Sequence, residues 1–407
     1  MNAAQRASNQ ILLIAVILVG LGVVMVYSSS SVLAGTRYAD SSFFLVRQVI
    51  RAAIGLGIMF ILSRLPLRIW QRAARPMILT GLALLVLVLI FGQGKGASRW
   101  LPFPLPLDRM SLSFQPSEFV KLALVLYLAD VMVRHQQRMG DWRTGLLPRL
   151  LVLGAVQVLI VLQPDLGTAI AIGLISIIML WLGGAGAWHL AAAAGAVVPF
   201  VAWSLVSSPY QMQRLTSFLH GADPRGAGFQ VSQSLLALGS GGFLGVGLGD
   251  SVQKYFLPEP HTDFVFAFIG EELGLAGSLS VIALFVAIAI HGYRIASDAR
   301  TYHGFLVAAG ITVMISVYAV INVGVVTGIL PTTGLPLPLV SYGGSSLLWN
   351  LSGIGILAAV SRETGQSPPS LAPARSQPWF GGMLRRLRPL RTAQPPPGMP
   401  VVANAGR

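Results

Sequence analysis

Residues 257–277 read LPEPHTDFVFAFIGEELGLAG. A proline-broken segment carrying His261 and Asp263 runs directly into an apolar stretch that continues to about residue 291 and keeps two adjacent glutamates, Glu271 and Glu272. Roughly 20 apolar residues let an α-helix cross the hydrocarbon core of a bilayer, so the stretch from 264 predicts a membrane span. The same ruler carried outward gives about ten spans, near 11–33, 43–63, 77–92, 115–134, 147–163, 166–183, 187–206, 264–291, 303–328 and 345–361. The fifth and sixth are short and meet at Gln163-Pro164-Asp165, which reads as a break, tolerated at membrane depth only against protein or a wet cavity. Composition agrees: the 407 residues are 54% hydrophobic and 10% charged, against about 25% charged in soluble domains. The expected fold is an all-α polytopic membrane protein.

The net charge is +14, but the basic residues fall in short clusters between apolar segments. That is the pattern of the positive-inside rule, not a nucleic-acid patch. The sequence has no cysteine, which excludes disulfides and Cys-based metal sites. Arg6, the apolar run from Ile11 and Val32-Leu33-Ala34 resemble a signal peptide, yet the run is long enough to span and is taken as the first transmembrane helix. With about ten spans, Arg64, Arg68, Arg72 and Arg75, then Arg134, Arg138, Arg143 and Arg149, then Arg294, Arg300 and the basic C-terminal tail all fall on one side. That side is read as the cytoplasm, with both termini inside.

Two substantial loops face the other side, 92–114 and a 57-residue segment from Ser207 to Asp263 between spans seven and eight. A loop that long is usually functional. Its Gly-rich part, SLLALGSGGFLGVGLGDS, keeps apolar residues and is expected to dip onto the membrane surface or form short interfacial helices. No internal repeat is evident. Residues 1–362 form the membrane domain; 363–407, rich in Pro and Arg, read as a disordered cytoplasmic tail, whose WFGGMLRRLRPLR segment suits anionic inner-leaflet lipid or simply carries topological charge.

Asp263, beside Thr262, enters the eighth span. One reading is an N-cap on the positive helix end; a compatible one is an ionised, fixed carboxylate serving as general base. Glu271 and Glu272 lie about 12 Å further along a straight helix and are read as structural, bracing this helix beside Gly270. Glu118 and Lys121 are three apart on one helix face. Lys121 is one of three lysines in the chain, and in apolar sequence it needs an acid or an anionic ligand. An internal pair with Glu118 would satisfy it; its level near the outer face, one turn from Pro116, favours a ligand. Lys95, Arg99 and Trp100, with Arg214 and Lys254, supply cations and an aromatic anchor that suit a phosphate or serve as ordinary surface charge. ILPTTGLPLPLVSYGGSSLLWNL, between spans nine and ten, cannot be regular helix. Its Gly343, Gly344 and Ser345 stand at a helix N-terminus that favours anions, or make a tight turn without ligand. No GxxxxGK[ST], HExxH or GxSxG is present, so nucleotide hydrolysis, zinc proteolysis and serine hydrolysis lack support.

FQPSEFVKL, QPDLGTA, DPRGAGFQVSQSLLALGSGG, LPEPHTDFVFAFIGEELGLAG and LPLVSYGGSS together resemble the FtsW/RodA/SpoVE (SEDS) family of bacterial cell-wall proteins, in the family's order over nearly all of residues 11–361. GVGLGDSVQKYFLPEPHTDF and the tail look most like the FtsW, cell-division branch, with an elongation (RodA-like) or sporulation role as the alternative. The resemblance implies a ten-helix fold in the bacterial inner membrane. It also implies a peptidoglycan glycosyltransferase that polymerises lipid II on the outer face, releasing undecaprenyl pyrophosphate. Nascent glycan, a class B penicillin-binding protein (transpeptidase) and other divisome proteins are the implied partners. The family's essential aspartate falls on Asp263, and its PSEFVK acid and base fall on Glu118 and Lys121. Substrate contacts are expected from these two with Arg99, Trp100, Gln115, Arg214, Lys254, His261, Ser341 and Ser345; Glu271, Glu272, Pro258, Gly343 and Gly344 are expected to be structural. No cofactor is required by the residues, though a divalent cation (Mg2+ or Mn2+) would suit the pyrophosphate. Two other classes remain: a lipid II flippase, and a non-catalytic scaffold for the transpeptidase.

Overall fold

The computed structural model describes residues 3–92, 99–103, 112–135, 142–219, 228–257 and 261–365. Each expected span coincides with a helix: α1 (Ala3–Tyr38), α2 (Phe43–Leu62), α3 (Leu67–Phe91), α4 (Pro116–Arg134), α5 (Leu147–Val161), α6 (Leu166–Leu182), α7 (Ala187–Ser207), and then α10 (Val265–Asp298), α11 (Tyr302–Val326) and α12 (Gly344–Gly365). The long segment between the seventh and eighth spans folds α8 (Pro209–Leu219) and α9 (Phe229–Ser240). Among the described residues, eight helices are long and apolar enough to cross a membrane. Of the remaining two expected spans, α6 has 17 residues, and α4 carries Glu118, Lys121, Asp130 and Arg134. Those charges fit its place: α4 is buried along nearly its whole length, packed with α11 and α12 at the centre of the bundle. The outer helices instead turn residues such as Leu79, Ile90 and Val206 outward, as lipid-facing surfaces do.

Two boundaries are corrected. The third span begins at Leu67, ten residues before the expected 77, so Arg68, Arg72 and Arg75 stand on helix. Pro76 lies inside α3; neighbouring packing lets a membrane helix continue past a missing N–H. The fold is nearly all α, as expected, with one short hairpin in which Leu101–Phe103 (β1) and Leu112–Phe114 (β2) pair antiparallel, Leu101 opposite Phe114. The last helix runs to Gly365 rather than 362; the tail beyond it lies outside the described residues.

The long helix α10 is broken at Gly274, whose φ is +68°. In an unbroken helix the carbonyls of Glu271 and Glu272 would accept from the N–H groups of Leu275 and Ala276. Here the Gly-rich loop is inserted between them. Val246 and Gly247 donate to the Glu271 and Glu272 carbonyls at 3.0 and 3.1 Å, while Leu275 and Ala276 donate to Gly242 and Phe243 at 3.0 and 3.1 Å. Four backbone groups released by the kink are thereby satisfied, which an apolar surrounding demands. Close approach requires the glycines: a Cβ on Gly245, at φ +85°, would collide with the Glu272 carbonyl. Gly245→Ala is therefore expected to destabilise the protein by about 2 kcal/mol or more. Gly239→Ala, in α9 where an added Cβ meets nothing within 4 Å, is expected to be neutral or slightly stabilising; thermal unfolding in detergent separates the two.

Candidate active site

The connection between α11 and α12, TGILPTTGLPLPLVSYGG, has three prolines and so builds few hydrogen bonds of its own. Partners from elsewhere satisfy it. Asn322 Nδ2, on α11, donates to the carbonyls of Leu335 and Asp263, each at 2.8 Å. Arg214 Nη1, on α8, donates to the Thr332 carbonyl at 3.2 Å. The Tyr342 N–H donates to the His261 carbonyl at 2.9 Å, and Ser341 Oγ accepts from the Leu337 N–H at 2.9 Å. Gly22 of α1 lies against Val340, and Gly167 of α6 against the Thr333 carbonyl. One irregular segment thus draws α1, α6, α8 and the entry to α10 together.

Asp263 sits at this junction, half-buried. Its Oδ2 and Arg214 Nη1 lie 3.6 and 3.8 Å from where a Cβ on Gly334 would stand, so a carboxylate and a guanidinium face the same bare stretch of backbone. The helix begins at Val265 and its N-cap residue is Phe264, with no side-chain cap bond; Asp263 is not the cap that its position suggested. The loop is held instead through its backbone, by Asn322, and through His261. That ring packs between Phe44 (centroids 4.3 Å apart) and Tyr342 (5.0 Å). Burial pushes its pKa down to about 4, so it is neutral at physiological pH and holds the loop as an aromatic body, without the charge a phosphate ligand offers.

Ser8, Ser63 and Arg362 line one crevice at the far end of the bundle. At 1.5 Å per residue, Ser28 stands about 30 Å and Phe44 about 28 Å from that end. Glu272 accepts from Ser28 Oγ at 2.6 and 2.7 Å, while His261 rests on Phe44. The chain from His261 to Glu272 therefore crosses the bundle at roughly one level. This corrects the expectation that the glutamates lie deeper than Asp263, and the break at Gly274 is the cause. Glu271 binds the Gly-rich loop's continuation, accepting from Ser251 Oγ and from the N–H groups of Val252 (2.9 Å) and Gln253 (3.3 Å).

The other expected site residues divide between the junction and its supports. Lys121 Nζ meets Glu118 at 2.7 Å and Asn350 at 3.4 Å, and lies 4.0 Å from the Tyr318 ring centroid. Both charged groups are about 1–2% exposed, so in this structure the two satisfy each other. Arg99 bonds the carbonyls of Gln163 (3.2 Å) and Pro164 and lies 3.8 Å from Asp165, so it pins the break between α5 and α6. Asp165 in turn caps α6, accepting from the Thr168 N–H. Lys254 bonds the Gly249 carbonyl and lies beside Tyr255. Gln115 N–H donates to Ser345 Oγ at 3.0 Å, tying the start of α4 to the start of α12. Gly344 leaves room for Arg51, which stacks on Tyr342 at 4.8 Å, and Gly343 immediately precedes this helix start. Trp100, partly exposed, leads into β1; Lys95 and Pro258 lie outside the described residues.

Asn322, Gly334, Phe44, Arg51 and Ser28 were not anticipated. Only Asn322 carried a signal, as an isolated amide in an apolar helix, where polar side chains form interhelical bonds. Among the described residues no group of three or more His, Asp or Glu is placed to hold a metal ion.

These features define a polytopic helical membrane protein with an acid and a base displayed together at one end of the bundle. The family model described as "Cell cycle protein", FtsW/RodA/SpoVE, matches residues 9–366, and the chain belongs to that family. It is 42% identical over 356 residues, 86% of this chain and 92% of the relative, to a probable peptidoglycan glycosyltransferase FtsW of Trichlorobacter lovleyi. It is 40% identical over 357 residues, 86% and 96% of the two chains, to the stage V sporulation protein E of Bacillus subtilis. Among solved structures, it resembles a chain from a peptidoglycan synthase complex described as coordinating polymerization and crosslinking, with TM-score 0.70 and 29% identity over 88% of this chain and 98% of the other. It also resembles the rod shape determining protein RodA of Thermus thermophilus, with TM-score 0.64 and 28% identity over 88% and 97%.

The buried pair supplies a test that separates support from ligand binding. Removing one partner leaves an uncompensated charge, so Glu118→Gln or Lys121→Met alone is expected to lower stability by about 3 kcal/mol or more. The double variant should recover at least half of that loss, read from thermal unfolding and monodisperse yield.

Proposed function

We propose that this chain is a peptidoglycan glycosyltransferase that joins lipid II units through β-1,4 bonds during septal wall synthesis. The observation that carries the chemical assignment is the half-exposed Asp263 carboxylate facing Arg214 across the bare backbone of Gly334, with the Asp263 backbone fixed by Asn322. The branch assignment rests on relatives named FtsW at about 40% identity along most of the chain.

In this reading Asp263 accepts the proton from the C4 hydroxyl of an acceptor lipid II. The freed oxygen forms a bond to the anomeric carbon of the donor glycan as the bond from that carbon to undecaprenyl pyrophosphate breaks. In-line displacement inverts the α-linked donor to the β product and requires one base and a stabilised leaving group. It differs from glycosidases, which place two carboxylates about the bond. Arg214 is the proposed partner of the departing pyrophosphate, since a fixed guanidinium opposes developing phosphate charge. Arg99 and Lys121, engaged elsewhere, act as scaffold. The pocket of about 170 Å³ that Arg214 shares with Phe218, Val231, Leu235 and Pro331 offers apolar surface beside the charge, as a lipid-linked substrate needs.

The arginine-rich helix ends are assigned to the cytoplasm and Asp263 to the outer face. A class B penicillin-binding protein is proposed as partner, by analogy with the related chain's place in a synthase complex.

Purified with that partner and given lipid II, the wild type should produce glycan ladders. Asp263→Asn should lose at least about 100-fold in rate, with folding and partner binding retained. Arg214→Gln should lose about tenfold or more, with a larger effect on kcat than on KM. Equal activity of Asp263→Asn and wild type would remove Asp263 as the base; an intact complex without any polymer would favour transport.

A further inference from the structure

The end of the bundle opposite Asp263 holds a feature that the glycan chemistry does not use. A cavity of about 350 Å³ opens between α3, the end of α4 and the start of α5. Leu79, Leu82 and Val152 give it apolar walls, and Arg75 and Arg149 line it with positive charge. Arg149 is 2% exposed. Its Nη1 donates to the carbonyls of Thr144 (2.8 Å) and Gly145, but its buried Nε meets no acceptor. Among the described residues no carboxylate lies within 4.0 Å of it. The nearby acid, Asp130, is already held by Arg134 at 2.8 Å and Arg75 at 3.7 Å. Two guanidinium groups on one carboxylate leave an excess of positive charge before Arg149 is counted.

A buried guanidinium at a membrane boundary is costly unless an anion joins it. The shape of the cavity identifies the anion's source. Leu79, which lines the cavity, is 65% exposed, so the apolar wall runs on into the surface that meets lipid tails. A soluble anion has no use for such a wall, whereas a phospholipid fills both parts. We propose that this groove binds an anionic phospholipid of the inner leaflet, its phosphate against Arg149 and Arg75 and an acyl chain along Leu79 and Leu82. The leaflet rests on the orientation proposed above; the binding itself does not depend on the polymerase assignment. Basic pockets between membrane helices on the cytoplasmic side are suited to such headgroups.

The test is native mass spectrometry of the detergent-purified full chain with phosphatidylglycerol, with phosphatidylethanolamine of the same acyl chains, and with inorganic phosphate. Three variants accompany the wild type: Arg149→Gln, Leu79→Trp and Arg362→Gln. Leu79→Trp blocks the groove without touching its charges, and its side chain faces outward, so folding is not at stake. Arg362→Gln removes a cation from a different crevice at the same end. The wild type should retain phosphatidylglycerol about fivefold over phosphatidylethanolamine or better. Arg149→Gln and Leu79→Trp should both lose that preference, and Arg362→Gln should keep it. Absence of preference in the wild type, its survival in either groove variant, or its loss in Arg362→Gln overturns the proposal. Displacement of the bound lipid by inorganic phosphate would mark a soluble-anion site and overturns it equally.

Discussion

A backbone polar group that leaves a helix inside this bundle must find its partner within the protein, because lipid supplies none. Two irregular segments carry most of that burden, and both shape the site. The Gly-rich loop enters the broken ladder of α10 and pairs with the four groups around Gly274. The connection before α12 is satisfied by side chains of Asn322, Arg214 and Ser341 and by the carbonyl of His261. Each of those bonds fixes a piece of chain next to Asp263. The carboxylate's position is thus a by-product of satisfying backbone at a place where regular helix is impossible.

This division accounts for what was readable in the sequence. Long apolar runs announce helices because lipid thickness sets their length, and all ten were found close to their places. The start of α3 was missed because Pro76 and three arginines imitate a loop end, although α3 carries them as the membrane-boundary turns of a helix. The kink at Gly274 was invisible, since a glycine in an apolar run is equally compatible with close helix packing. Asp263 stood out because a carboxylate beside a membrane span has few bland uses. Lys121 stood out for the same reason; in the structure it is buried to near zero exposure with Glu118 at 2.7 Å. Arg214, Asn322 and Gly334 meet only through the tertiary fold. Their sequence separations from Asp263 carry no period or spacing that would have joined them.

The charges are sorted by role as well as by side. Glu118, Lys121, Asp165 and Arg99 sit in or beside the core with partners within 4 Å, where a low dielectric makes each pair costly to break and so fixes the geometry of α4, α5 and α6. Glu271 and Glu272 do the same with neutral donors, holding the loop and α1. Such groups lend rigidity, and their protonation or loss disturbs the site at one remove.

A single-base displacement makes particular use of that rigidity. The base has to stand within hydrogen-bonding reach of a hydroxyl that arrives on a separate lipid-linked molecule, and it gains nothing from moving once there. Asp263 is anchored by its own backbone carbonyl to Asn322, and that same amide holds Leu335, so the wall opposite the carboxylate moves with it. Arg214 belongs to a different element, α8, and reaches the wall through the Thr332 carbonyl at 3.2 Å. The proposed base is therefore built into the bundle, while the cation proposed for the leaving group rides on the segment between the seventh and eighth spans.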